Sequence, residues 1–121
     1  MDALYVFIGG GIGSLLRYVL TLIIPRFKTD SFPWATLAAN IASAIIVSII
    51  LTFVLKQYTL NKELKLLLLV GVCGGLSTFS TFSMELVELI QNKSFQNASL
   101  YFALNTLLCP LIIFIISRNE L

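Results

Sequence analysis

The stretch Gly71-Val72-Cys73-Gly74-Gly75-Leu76-Ser77-Thr78-Phe79-Ser80-Thr81-Phe82-Ser83-Met84-Glu85 decides how this chain is to be read. It occupies the middle of an apolar segment running from about Leu64 to Ile90, long enough to cross a bilayer as a helix. A glycine pair beside a run of hydroxyl residues favours an unwound stretch, because glycine loses the most backbone entropy in a helix. Non-helical backbone at membrane depth is tolerated only where protein buries it or a cavity hydrates it. Carbonyls freed there could coordinate a cation. The alternative is a continuous helix whose serines and threonines bond back to its own carbonyls, and composition does not choose between the two.

Beyond the expected break, helical spacing sorts the side chains into stripes. Phe79 and Phe82 share one face, and phenyls at this spacing are usually packing residues. Thr78, Thr81, Glu85 and Glu88 follow an i, i+3, i+7, i+10 pattern and share another face, while Ser80 and Ser83 lie on a third.

Three further apolar segments accompany this one, at about Ala3–Ile24, Trp34–Leu55 and Ala98–Ser117. A span needs roughly 20 residues at 1.5 Å rise each to cross about 30 Å of hydrocarbon, so all four qualify. The expectation is an all-α membrane protein, a single domain over residues 1–121 with spans 3–24, 34–55, 64–90 and 98–117, resident in the cell membrane. The extra length of the third leaves room for a tilt or a break. Composition agrees: 58% of residues are hydrophobic, 12% are charged and the mean hydropathy is +0.95, against about 25% charged in soluble domains. The first segment is expected to stay in the mature protein, since Met1-Asp2 has no basic region before it and its apolar run is longer than a leader requires.

A net charge of +2 without a basic run speaks against nucleic acid as a partner. The absence of histidine and the isolation of Cys73 and Cys109 speak against a zinc or haem site, and both thiols read as small buried hydrophobes. An intramembrane hydrolase is disfavoured because no serine–base pair or metal set is evident.

Short-loop Lys and Arg set membrane orientation, and here they balance. Lys56, Lys62, Lys65 and Arg118 fall on one side, Arg26, Lys28 and Lys93 on the other, and Arg17 past the middle of the first helix evens the count. Such a chain could insert both ways, and oppositely oriented copies could pair. Chance balance, or a partner that sets orientation, would look the same.

The remaining polar residues sit inside the spans. Gly9, Gly10, Gly11 and Gly13 suggest close helix packing in the first. Thr36, Asn40 and Ser43 share a face of the second. Asn40 requires a partner, because an unmatched amide in hydrocarbon costs a few kcal/mol; it is a helix contact or a pore-lining donor. Tyr101 and Asn105 are four apart in the fourth, and Pro110 can kink that helix. Arg17 and Glu85 are the ionisable groups expected below the interface, with snorkelling as the alternative for Arg17.

At this point the residues resemble a known family. The string from Gly74 to Glu85 is similar to the signature of the small fluoride channels of bacteria and archaea. Gly9-Gly10-x-x-Gly13-x-x-x-Arg17-Tyr18 and Thr36-Leu37-x-x-Asn40 look like its first- and second-helix motifs, in the right order. The resemblance implies a passive, fluoride-selective channel that exports fluoride and lowers its toxicity, with no enzymatic activity. It implies an antiparallel, dual-topology dimer in the membrane lipid, formed with a second copy or a paralogous chain. A structural sodium ion at the dimer centre would be held by the backbone carbonyls of Gly74 and Ser77. Phe79 and Phe82 would line the fluoride path with their electropositive edges. Asn40 would donate to the ion, Ser80, Thr81 and Glu85 would continue the polar track, and Thr36, Tyr101 and Asn105 could join it. Arg17 would draw anions at a vestibule. Ala35, Ala42 and Ala44 stand where this family often has glycine, which touches the packing of the second helix. An obligate subunit of a heterodimeric channel is the near alternative. A small dual-topology multidrug exporter is the more distant one, and it lacks the carboxylate that mechanism needs in the first helix.

Overall fold

The computed structural model describes residues 1–56 and 59–118. Gln57 and Tyr58, in the expected second connection, and residues 119–121 of the expected domain lie outside the described residues. Helix α1 spans Asp2–Ile23 and α2 spans Trp34–Leu55. The third crossing is built from two pieces: α3, residues 62–76, and α4, Phe79–Gln91. Helix α5 runs Phe95–Ser117. Four helices, counting the third crossing as one bent helix over Lys62–Gln91, are long and apolar enough to cross a membrane among the described residues. This is a multi-pass membrane protein.

Tertiary contacts arrange these helices with alternating direction. Asp2 pairs with Lys62, which puts the N-terminus beside the start of α3. At the other end the 24–33 loop is tied to the α4–α5 connection: Arg26 pairs with Glu88, Asn92 donates to Thr29, and Ser94 and Asn97 donate to the Asp30 carbonyl. Asn61 caps α3 by accepting from the Leu64 amide, and Thr78 caps α4 by accepting from the Thr81 amide. Lys93, with φ of 57°, makes the left-handed step that turns α4 toward α5.

Two kinds of packing hold the helices together. Helix α1 lies against α3 along small residues: a Cβ added at Gly71 would stand 2.7 Å from the Gly9 Cα, one at Gly13 would stand 2.8 Å from the Leu76 amide nitrogen, and one at Gly75 2.9 Å from that of Ser14. Only glycine permits this backbone approach, the usual basis of close helix pairs in lipid. Helices α2, α4 and α5 instead pack through side chains, around Leu37, Phe82, Leu89, Ala98 and Tyr101. Elsewhere large apolar side chains such as Phe7, Leu22, Leu107 and Phe114 point outward, as lipid-facing residues do.

Wide π-type winding occurs twice, over Leu66–Cys73 in α3 and Leu104–Leu108 in α5. The second precedes Pro110, whose ring nitrogen has no hydrogen to give the preceding turn, so the expected irregularity takes this form.

Candidate functional site

The break in the third crossing falls at Ser77 and Thr78, not at the glycine pair. Gly74 is helical at φ −65°, ψ −34°, whereas Ser77 (ψ 151°) and Thr78 (φ −149°, ψ 124°) are extended. The physical cause is competition for donors. The Thr78 N–H, which would close on the Gly74 carbonyl in a continuous helix, donates to Asn40 Oδ1 at 2.8 Å. The Thr81 N–H, which would close on the Ser77 carbonyl, donates to Thr78 Oγ1 at 3.1 Å. Two side-chain oxygens therefore replace two backbone acceptors, and the helix restarts at Phe79. Gly75, one of the glycine pair at which unwinding was one expectation, instead serves the α1 contact together with Gly71.

Helix α2 staples both halves of the broken helix with the stripe its sequence showed. Thr36 Oγ1 donates to Glu85 Oε1 of α4 at 2.9 Å, Asn40 holds Thr78 at the break, and Ser43 Oγ donates to the Cys73 carbonyl of α3 at 3.1 Å. That carbonyl also accepts from the Ser77 hydroxyl at 2.8 Å and the Ser77 amide at 3.0 Å, so the last turn before the break is gripped from three sides. The three bonds from α2 cross between helices where water is scarce, and each is worth about 0.6 to 2 kcal/mol in that setting.

Asn40 is tied to a third helix as well. Its Nδ2 donates to Asn105 Oδ1 of α5 at 2.7 Å, and the Asn105 Nδ2 donates to the Tyr101 carbonyl at 3.0 Å. The direction of this chain is set at both ends, since the Thr78 amide can only donate and the Tyr101 carbonyl only accept. The remaining Asn40 bond, to the Thr78 carbonyl, is long at 3.4 Å. The sequence marked Asn40 and Asn105 separately; their pairing across 65 positions has no local signal.

These residues border a cavity of about 550 Å³ lined from α2, the break, α4 and α5 by Asn40, Ser77, Thr78, Phe79, Phe82 and Asn105 among others. The two phenyls part company there. Phe82 is buried against Tyr101, with centroids 5.1 Å apart, whereas Phe79 is 77% exposed and touches Phe82 at 5.6 Å. Cys109 is half-buried at this cavity and Cys73 is fully buried; both are free thiols. Ser80 is exposed, its hydroxyl 3.4 Å from that of Thr78, and Ser83 bonds back to the Phe79 carbonyl.

Along α4, the stripe beginning at Thr78 collects one partner from each surrounding element. Arg17 of α1 donates to Thr81 Oγ1 over a long 3.4 Å. Glu85 accepts from Thr36 and, through Oε2, from the Tyr101 hydroxyl at 2.8 Å. Glu88 is paired at 2.9 Å with Arg26, a partner that sequence reasoning left in a polar loop. The arrangement offers an amide, several hydroxyls and two aromatic rings beside two paired carboxylates. Among the described residues no group of three or more His, Cys, Asp or Glu side chains is placed to hold a metal ion. The carbonyls of Gly74 and Ser77, both deprived of their helical donors, have the chemistry for it.

The sequence profile of the family described as "CrcB-like protein, Camphor Resistance (CrcB)" matches residues 4–116. Among curated proteins, one from Flavobacterium psychrophilum is 39% identical over 104 residues, covering 86% of this chain and 84% of that protein. One from Phocaeicola vulgatus is 44% identical over 89 residues, 74% of this chain and 73% of its own length, and one from Magnetococcus marinus is 36% identical over 111 residues, 92% and 90% respectively. Each of the three is named a fluoride-specific ion channel, FluC. Since the matched region takes in all four crossings, the break and the polar stripes of α2 and α4, this chain belongs to the CrcB-like family.

Proposed function

We propose that this chain is a fluoride channel, a passive pore and not an enzyme, that works as an antiparallel dimer. The observation that carries the reading is the donor-lined cavity at the break, in a chain whose relatives over most of its length are named fluoride-specific channels. Fluoride is small and strongly hydrated, so a path through hydrocarbon has to replace its water with other donors, as selectivity filters do. Asn40 has one amide hydrogen held only by the long bond to the Thr78 carbonyl, and that hydrogen is the one free to turn to an anion. The Phe79 and Phe82 rings can present positive edges beside it. One turn along, the hydroxyls of Thr36 and Tyr101 both give their hydrogens to Glu85, so each would have to turn away from that carboxylate to meet the ion; Thr81 lies on the same face between them and the break, and Ser80 on the neighbouring one. Arg17 at Thr81 supplies positive charge.

The dimer is supported by the surface the single chain leaves open. Phe79 projects uncovered beside the cavity it lines, and Gly74 has nothing within 4 Å of where a Cβ would stand. A second copy in the opposite orientation would bring the two breaks together, in keeping with the balanced loop charges. A sodium ion at that centre would be held by the Gly74 and Ser77 carbonyls of each copy. Its charge would offset part of the cost of bringing an anion into a low-dielectric medium.

The test is fluoride release from liposomes containing only the purified chain, followed with a fluoride electrode and with chloride as control. Rapid fluoride loss without chloride loss is expected, together with loss of flux in Phe82→Ile and Asn40→Asp. Silence from folded, membrane-inserted protein would exclude a self-sufficient channel and point to a second subunit.

A further inference from the structure

Arg26 is the most heavily engaged cation of the 24–33 loop. Its Nε donates to the Ser31 carbonyl at 3.0 Å, its Nη2 to the Thr29 carbonyl, and its Nη1 to Glu88 Oε2 at 2.9 Å. The loop is wrapped around this guanidinium, which is 18% exposed, while the Glu88 side chain it meets is 32% exposed. Glu88 lies three residues beyond Glu85 on the same face of α4. It therefore stands where that polar face reaches the aqueous edge. A bare carboxylate at the mouth of an anion path repels the ion it should admit, and partial burial weakens the screening of that repulsion.

We propose that Arg26 is a charge-cancelling residue for ion throughput: paired with Glu88, it removes the negative charge that would otherwise stand between solvent and the Glu85 end of the track. This rests on the fluoride-channel reading above and extends it to a residue of the loop. The competing role is a staple that merely holds the loop in place, and the two roles differ in sign. For a staple, removing either partner does similar harm and removing both does no less. For charge cancellation, the harm of losing Arg26 comes from the Glu88 carboxylate left behind, and deleting that charge too should undo it.

The experiment is fluoride flux from liposomes holding the full-length chain, Arg26→Gln, Glu88→Gln or the double variant, each at low and high concentrations of an impermeant salt. Arg26→Gln should lower flux roughly three- to tenfold, the scale of one uncompensated charge a few ångströms from the path. High salt should return part of it. Glu88→Gln should leave flux no lower than in the unmodified chain. The double variant decides, because it keeps the loop lesion of Arg26→Gln and lacks the charge of Glu88. Recovery above the Arg26→Gln value supports the inference, and flux at or below that value overturns it. If the unmodified chain conducts, an unrecovered double variant sinks only this inference; if it does not conduct, the channel reading fails and takes the inference with it.

Discussion

The α1–α3 seam and the α2–α4–α5 face solve the same problem, holding helices together where lipid supplies no hydrophobic drive between them, in opposite ways. In the seam, Gly9, Gly13, Gly71 and Gly75 bring backbone against backbone, and no polar side chain takes part in these approaches. Across the other face, Thr36, Asn40, Ser43, Tyr101 and Asn105 reach between helices through hydrogen bonds, and a cavity of about 550 Å³ remains beside them. Steric closeness fills space and leaves no donor over. Hydrogen-bonded side chains hold helices apart by the length of a side chain, and that gap can admit an ion. The lesson is a division of labour: the glycine seam holds α1 to α3 by backbone contact, which leaves the polar side chains of the other face to span a gap.

The comparison breaks most severely at Gly13. A Cβ there would meet the Val72 carbonyl and lie 2.8 Å from the Leu76 nitrogen, both backbone atoms that cannot rotate aside. Gly13→Ala should cost at least about 3 kcal/mol, at the upper end of overpacking penalties. An SDS-titrated unfolding midpoint, or the loss of a monodisperse peak in mild detergent, would report it. An intermediate effect is expected at Asn40→Leu, which removes the acceptor of the Thr78 N–H and the donor to Asn105. With the Thr78 amide left to find another partner, stability should fall by about 1 to 3 kcal/mol. Hydrogen exchange should rise at Thr78 and its neighbours before it rises in α1. Protection lost equally in the seam would mean the two regions are one cooperative unit. The smallest effect is predicted for Gly11→Ala, within about 1 kcal/mol of the parent and on the stabilising side, because nothing lies within 4 Å of that Cβ and alanine favours helix. Marked loss there, in the same SDS titration, would reveal a partner packed on this part of α1.

Much of this was legible because membrane sequences are constrained so tightly. Long apolar runs, polar residues that cannot be left unmatched and clustered glycines pointed to four crossing helices and close packing in the first, while a break in the third was one of two equal readings until the family resemblance favoured it. The seven-residue run Ser77–Ser83 was conspicuous for the same reason. The exact position of the break was not legible. Gly74 and Gly75 have the weakest helix preference nearby, yet both stay helical, while Ser77 and Thr78 leave the helix. Propensity measures what a residue costs in a helix; it says nothing of which distant side chain will offer its N–H a better acceptor. Asn40, 38 residues upstream of Thr78, made that offer. Arg26 was likewise read as an ordinary loop charge, because its partner Glu88 lies 62 positions away.

The amino-acid sequence by itself determined the solvent, the number of crossings, the family, and which polar residues had to find partners inside the membrane. The family follows from likeness to known sequences; the rest follows from composition and local spacing, which survive in any fold that buries the same segments in lipid. Only the tertiary structure decided which partners they found: that Asn40 opens the helix at Thr78, that Glu85 gathers the hydroxyls of Thr36 and Tyr101, and that Arg26 closes on Glu88. A hydrogen bond between helices depends on their relative height and rotation, and those are set by the glycine seam and the loops together.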